Sequence, residues 1–412
     1  MTAGKINLRL PLLALAIGLL VLGAGYLLHG GYALFTQAGD YHMHWAEQRY
    51  VWRGVNPGDV FARHHAEELH LPPPPTDRPN AVDPKLGPVD GAYPLSSYFT
   101  AAFITWPNPF NAGRAFNGII SLVLFAVVVV WSYRRGAEAD RHFGWVLATA
   151  VFAVNGFSTT MIVGQYGLLV MGMLVLAYDL DRRNHEVLAG VCLGIALVKP
   201  SVAVPFVLPF FFQGRWKMLV VAGVYLTVGT LVIWPWINTT PWQALGQMGT
   251  IASRFQGDGY SLCNVIEWFG VPPAPAMKAS AVGVMLAAAV LTYWWRESSM
   301  VVLFGIAAMA SRGWSYHRQY DNLVLAFLLI ALGVAAVRRS SVVWMATFLA
   351  LGITLWLPAR LTTIEKYEYA TQWTLIQGAV WVIALVVLLM LEKRSVQTES
   401  ALPAGTLSGV AG

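Results

Sequence analysis

Four residues of this sequence have the chemical types that transfer of a group from a phosphate to an alcohol requires: Asp40, Lys199, His317 and Arg318. A carboxylate can take the proton of an attacking hydroxyl, and cations can hold a phosphate as it departs. Glycoside hydrolysis normally uses two carboxyl groups, because an alkoxide leaving group must be protonated. A phosphate leaves as a stable anion and needs no such acid. One carboxylate with no evident partner, accompanied by cations, therefore fits transfer from a sugar phosphate.

Each of these residues has a particular setting. Asp40 opens the segment Asp40–Arg53, rich in helix formers and aromatics, and His44 and Glu47 follow at i+4 and i+7 on the same helical face. Trp45 and Trp52 also share a face, which predicts an amphipathic helix at the membrane surface. Here Asp40 has the alternative role of an N-cap. Lys199 precedes Pro200 within the apolar stretch Val187–Phe212, which has basic clusters at both ends. With both ends on one side, each limb spans only about 18 Å, predicting a hairpin that dips into the membrane with Lys199 near its tip. An ionisable group at that depth is by default functional, and a snorkelling lysine is the plain alternative. A third polar centre runs from Ser311 to Asp321, where Arg312, His317, Arg318, Gln319 and Asp321 lie among Trp314, Tyr316 and Tyr320 between two apolar helices. A solvated turn is the other reading of that stretch.

The elements that must position these residues are transmembrane helices. The 412-residue chain is 57% hydrophobic and only 12% charged, with a mean hydropathy of +0.56. Apolar runs matching a bilayer core recur along it, so the predicted fold is an all-α polytopic membrane protein of about ten crossing helices, with a re-entrant hairpin and outer-face surface helices. The net charge of +6 does not indicate nucleic acid. Basic residues fall in pairs at the ends of apolar runs, at Arg134-Arg135, Arg182-Arg183, Arg215 with Lys217, Arg338-Arg339 and Lys393-Arg394. That is the positive-inside pattern, and it predicts cytoplasmic termini in a cell inner membrane with the reactive residues on the outer face. Lys5 and Arg9 before the apolar run from Leu10 imitate a secretory signal, but the run is long and many spans follow, so an uncleaved first helix is expected.

Residues 1–394 are expected to form one transmembrane domain containing a large outer loop, residues 29–92, and residues 395–412 a disordered cytoplasmic tail. Within the loop, Leu71-Pro72-Pro73-Pro74-Pro75 predicts a polyproline II strut. Cys192 and Cys263 fall in separate environments and imply no disulfide framework. Asn238-Thr239-Thr240 matches a glycosylation sequon, a pattern common by chance. There is no phosphate-cradling glycine loop, no HExxH and no Ser-His-Asp candidate.

Several of these motifs, in this order, resemble the family 87 glycosyltransferases, polytopic enzymes of the GT-C fold that include polyprenol-phosphate-mannose-dependent mannosyltransferases. The resemblance covers most of the chain. It rests on Gly39-Asp40-Tyr41 with Ala46 and Gly54-Val55-Asn56-Pro57, then Tyr93-Pro94 and Gly164-Gln165. Ala189-Gly190 with Gly194, Lys199-Pro200 and Gly214-Arg215-Trp216 are its most specific part, and Tyr260-Ser261-Leu262 and Trp314-Ser315-Tyr316-His317 complete it. Two positions depart from the pattern, Leu95 after Tyr93-Pro94 and Arg312 within Ser311-Arg312-Gly313.

The resemblance implies Asp40 as general base, Lys199 and His317 at the donor phosphate or reaction centre, inversion at the sugar, and mannose as that sugar. Arg318 joins the phosphate site in this reading, while His44, Glu47, Gln165, Tyr316 and Arg312 line the substrate pocket. The expected partners are a polyprenyl-phosphate sugar, a lipid or glycan acceptor and membrane lipids. No metal or cofactor is required. Two readings compete with this one, a lipid or solute transporter or flippase using the same charges as a pathway, and a non-catalytic assembly subunit.

Overall fold

Lipid offers no partner to backbone N–H and C=O groups, so an apolar chain satisfies them within helices. In the computed structural model every regular element among the described residues is helical. The described residues are 9–400 apart from 69, 71–85, 87, 88, 90, 108, 255–260, 316, 340, 341 and 359–368. The expected strut at 71–75 lies outside them.

Helix α1 (Arg9–Thr36) leads into α2 (Gly39–Trp52) through Ala38, which adopts a left-handed conformation with φ 44°. After α3 (Pro57–Glu68) and the short α4 (Leu95–Ile104) come α5 (Phe110–Ala137), α6 (Arg141–Phe152), α7 (Asn155–Val163) and α8 (Gly167–Arg182). The stretch containing Lys199 is a broken helix: α9 (Glu186–Ala196), α10 (Pro200–Ala203), a 3-10 turn and α11 (Val207–Phe212). Then follow α12 (Trp216–Ile237), α13 (Pro241–Arg254), α14 (Leu262–Trp268), α15 (Pro273–Trp294) and α16 (Met300–Gly313). A 3-10 segment, Gln319–Leu325, opens α17 (Ala326–Arg339), and α18 (Val342–Trp356) and α19 (Tyr369–Ser400) end the described chain. Helix α19 thus carries the first residues of the 395–412 segment, and 401–412 lie outside the described residues.

The expected count of ten crossings is not reached by helices sufficient in themselves. Seven are long and apolar enough to cross a membrane among the described residues, and five further apolar helices have only 10–17 residues. A crossing takes about 20 residues. Hydropathy registers a continuous apolar run but not where its backbone stops being helical, so Met300–Gly313 and Val342–Trp356 are apolar throughout and yet fall short as helices.

Ion pairs gather Arg134, Arg135, Arg182, Arg183, Arg215 and Lys217 at one end of the bundle. Arg215 Nε lies 3.2 Å from Asp181 Oδ2 at the end of α8, and Lys217 Nζ lies 3.2 Å from Glu186 Oε2 at the start of α9. The two ends of the stretch from Glu186 to Arg215 therefore lie close together, and its helix is broken at Lys199-Pro200. Lys199 lies about 20 Å along from Glu186, beside an α12 of about 33 Å. Close approach of α9 to α12 depends on Gly190 and Gly194, one turn apart. A Cβ on Gly190 would stand 2.5 Å from the Met218 carbonyl oxygen, and one on Gly194 would stand 2.7 Å from the Tyr225 ring. With no hydrophobic drive between helices in lipid, such small-residue contacts are what let backbones pack. Phe206 and Phe210 of this stretch form an aromatic cluster with Phe304 and Phe327, with ring centroids 5.2–5.7 Å apart.

Candidate functional site

Local geometry puts Asp40 in the first turn of α2, but not at its cap. The N-cap is Ala38, which has no side chain able to cap, so the alternative role for Asp40 falls. A carboxylate there gains from the positive end of the helix. Its Oδ2 accepts a hydrogen bond of 2.7 Å from Gln165 Nε2, and Gln165 Oε1 accepts in turn from the Tyr93 hydroxyl at 3.3 Å. Asp40 is half-buried, and its Oδ1 has no hydrogen bond among the described residues.

Gln165 reaches Asp40 because Gly164 ends α7 in the left-handed region, at φ 76°. A Cβ on Gly164 would lie 2.7 Å from Tyr41 Cβ and 3.0 Å from Ala38 Cβ. Gly164→Ala is therefore expected to cost about 1–3 kcal/mol in backbone strain, with a further cost from the clash. Thermal unfolding of the purified protein should show a clear fall in Tm; an unchanged Tm would mean that this contact is not maintained.

Helix α2 is not apolar on one face only. Tyr41, His44, Ala46, Glu47, Gln48, Arg49, Tyr50 and Val51 are all buried. Long-range bonds hold this polar helix inside: the Arg49 guanidinium donates to the Thr105 carbonyl and lies 3.8 Å from the Trp52 ring centroid, while Trp236 Nε1 donates to the Val51 carbonyl at 2.6 Å. His44 stacks on Tyr166, with centroids 4.2 Å apart, meets the edge of Tyr93, and has Nδ1 3.4 Å from Glu47 Oε2. Glu47 Oε1 accepts from the Gly91 N–H at 2.7 Å, tying the far end of the 29–92 loop to α2. Asp40, His44 and Glu47 thus share one helix side and engage three different neighbours.

The second centre forms around a residue for which the sequence offered no role. Asp321 Oδ1 accepts from Lys199 Nζ at 2.6 Å, and its Oδ2 lies 3.1 Å from His317 Nδ1 and accepts from the Arg318 backbone N–H at 3.2 Å. Lys199, His317 and Asp321 are all buried. Arg318 thus enters this cluster through its main chain. The i+4 spacing of Asp321 after His317 was the available signal, but the pairing with Lys199 was not. Lys199 Nζ also lies 4.7 Å from the Tyr320 ring centroid. An ammonium has three donors, and one is used on Asp321 among the described residues.

The turn at Lys199 is pinned on both sides. Ser97 Oγ donates to the Val198 carbonyl at 2.7 Å, and Trp314 Nε1 to the Ser201 carbonyl at 2.6 Å. Arg312 is also buried, with Nε donating to Asn322 Oδ1 and its guanidinium 5.6 Å from the Trp381 ring centroid. With Arg312, His317 and Asp321 buried, the 311–321 stretch is not a solvated turn. Tyr316 lies outside the described residues, as does Tyr260.

Burial pushes the His317 imidazole below its ordinary pKa; Arg312 and Lys199 push the same way, and Asp321 opposes them. A neutral ring facing a carboxylate carries its proton on Nδ1, leaving Nε2 as the acceptor, 3.5 Å from Ser315 Oγ. The two centres meet through α7. Thr160 Oγ1 donates to the Tyr320 carbonyl at 3.1 Å, while the Gln165 N–H donates to the Thr160 carbonyl at 3.2 Å. The arrangement offers a partly open carboxylate on one side and a buried, charge-balanced lysine–aspartate–histidine group on the other.

The family model of glycosyltransferase family 87 matches residues 92–332, more than half of the chain. The match includes Gln165, Lys199, His317 and Asp321; Asp40 precedes it. No curated protein matches the chain.

Proposed function

Because the chain belongs to glycosyltransferase family 87, we propose that it transfers a sugar, mannose, from a polyprenyl-phosphate-linked donor to a lipid or glycan acceptor, with inversion. The observation that carries this reading is the asymmetric hold on Asp40: Gln165 fixes Oδ2, while Oδ1 is left to accept a proton.

In this mechanism Oδ1 of Asp40 takes the proton of the acceptor hydroxyl. The hydroxyl oxygen attacks the anomeric carbon from the side opposite the phosphate. The bond from that carbon to the phosphate oxygen breaks, and its electron pair leaves with the polyprenyl phosphate. The two donors of Lys199 left unused among the described residues meet the developing charge, with Asp321 holding the ammonium in place. His317 is neutral before the donor arrives, and it binds a phosphate oxygen only by taking up a proton at Nε2. Arg318 completes the phosphate site, while Gln165 orients the base and His44, Glu47 and Arg312 border the pocket. In this reading the broken helix around Lys199 dips into the membrane as a re-entrant hairpin. The shorter apolar helices complete a crossing number nearer ten, and residues 1–394 act as one domain. Paired arginines on the cytoplasmic side of a cell inner membrane put the reaction on the outer face, following the positive-inside rule.

Incubation of the purified full-length protein with radiolabelled polyprenyl-phosphate mannose and a membrane lipid extract tests the donor class. Label is expected in a lipid or glycan product, with none from nucleotide-linked mannose. Transfer from the nucleotide sugar alone would overturn the lipid-phosphate donor.

A further inference from the structure

A cavity of about 550 Å³ opens between the C-terminal ends of α5 and α8, lined among others by Arg134, Arg135, Arg182, Arg183, Glu138 and Asp179. It is remote from Asp40. Gly113, near the start of α5, lies against the Tyr41 hydroxyl, and Gln165, just before α8, holds Asp40, so the cavity is about 36 Å along α5 from that contact.

We propose that this cavity binds a phosphate-bearing anion, such as the phosphate of an acidic lipid headgroup. Four guanidinium groups face two carboxylates, an excess of two positive charges. The internal pairs are loose: Arg134 and Arg183 lie 3.8 and 3.9 Å from Asp179, and Arg182 lies 3.5 Å from Glu138. Arg135 alone is tightly paired, 3.0 Å from Glu138. It is also more than nine-tenths buried, donates to the Tyr178 hydroxyl at 3.3 Å, and lies 5.5 and 5.9 Å from the Tyr178 and Trp131 ring centroids. Its Nε has no hydrogen-bond partner among the described residues.

Positive charge that serves only to orient helices needs neither burial nor convergence. Arg135 is buried, and the two arginine pairs come from different helices to face one cavity. Guanidinium groups suit phosphate because their planar forks donate two hydrogen bonds at once. Basic pockets between transmembrane helices take lipid headgroups for the same reason.

Native mass spectrometry of the full-length protein in detergent, with phosphatidylglycerol or phosphatidylcholine added, tests this, alongside Tm shifts with inorganic phosphate. Phosphatidylglycerol is expected to bind more tightly than phosphatidylcholine. The double variant R134Q/R183Q removes two half-exposed side chains and should weaken that binding about 30-fold. Asp179→Asn frees the same two arginines and should tighten it, which guards against a trivial loss of folding. Lys278→Gln, on α15, should leave it unchanged. If inorganic phosphate alone raises Tm and R134Q/R183Q abolishes the rise, the phosphate site stands with a soluble ligand. Equal binding of both probes to wild type and R134Q/R183Q, or no gain in Asp179→Asn, would overturn it.

Discussion

Asp40→Asn is expected to lower kcat for sugar transfer by about 10²–10⁴-fold, the usual contribution of a positioned general base. The donor KM should change little, because the amide has the carboxylate's shape and its oxygen can still accept from Gln165 Nε2, 2.7 Å away in the native protein. Folding should be preserved for a second reason, that Asp40 does not cap α2. Initial rates with purified wild type and variant over a range of donor concentrations separate the two constants. A kcat within a few-fold of wild type would remove Asp40 as the base. Gln165→Ala provides the companion measurement: it leaves the carboxylate chemically intact but unheld, so kcat should fall by less than in Asp40→Asn while KM again holds.

Lys199→Met is expected to destabilise the protein by about 3–5 kcal/mol, because it leaves the buried Asp321 carboxylate without its cation. Sugar transfer should be lost at the same time, so the single variant cannot tell a structural lysine from a phosphate-binding one. The double variant Lys199→Met/Asp321→Asn can. Removing both charges relieves the uncompensated burial, and Tm should recover most of the way to wild type. If the ammonium meets the leaving phosphate, transfer stays lost in this refolded protein. Recovery of transfer together with Tm would make the pair purely structural.

Much of the molecule is legible from local pattern. The length of the apolar runs makes the chain a membrane protein, and the residue types near Asp40 predict its helix to within a residue at each end. The resemblance carried by short motifs names a family whose model does match residues 92–332. The stretch around Lys199 does break into short helices on either side of Lys199-Pro200, as its length and the proline suggest.

What the sequence could not supply are contacts between residues far apart along the chain. Gln165 meets Asp40 across 125 residues, and Lys199 meets Asp321 across 122. Hydropathy and helical periodicity are properties of windows of a turn or a few turns, and neither encodes which window packs against which. The number of sufficient spans escaped for a related reason, since helix ends depend on backbone conformation at a few residues and not on mean apolarity. Composition by itself determined the solvent, the helical class and the residues able to do chemistry. Only tertiary packing decided that a buried aspartate balances Lys199, that Gln165 holds Asp40, and that four arginines surround one cavity, because a buried charge requires a partner and these partners come from segments far apart along the chain.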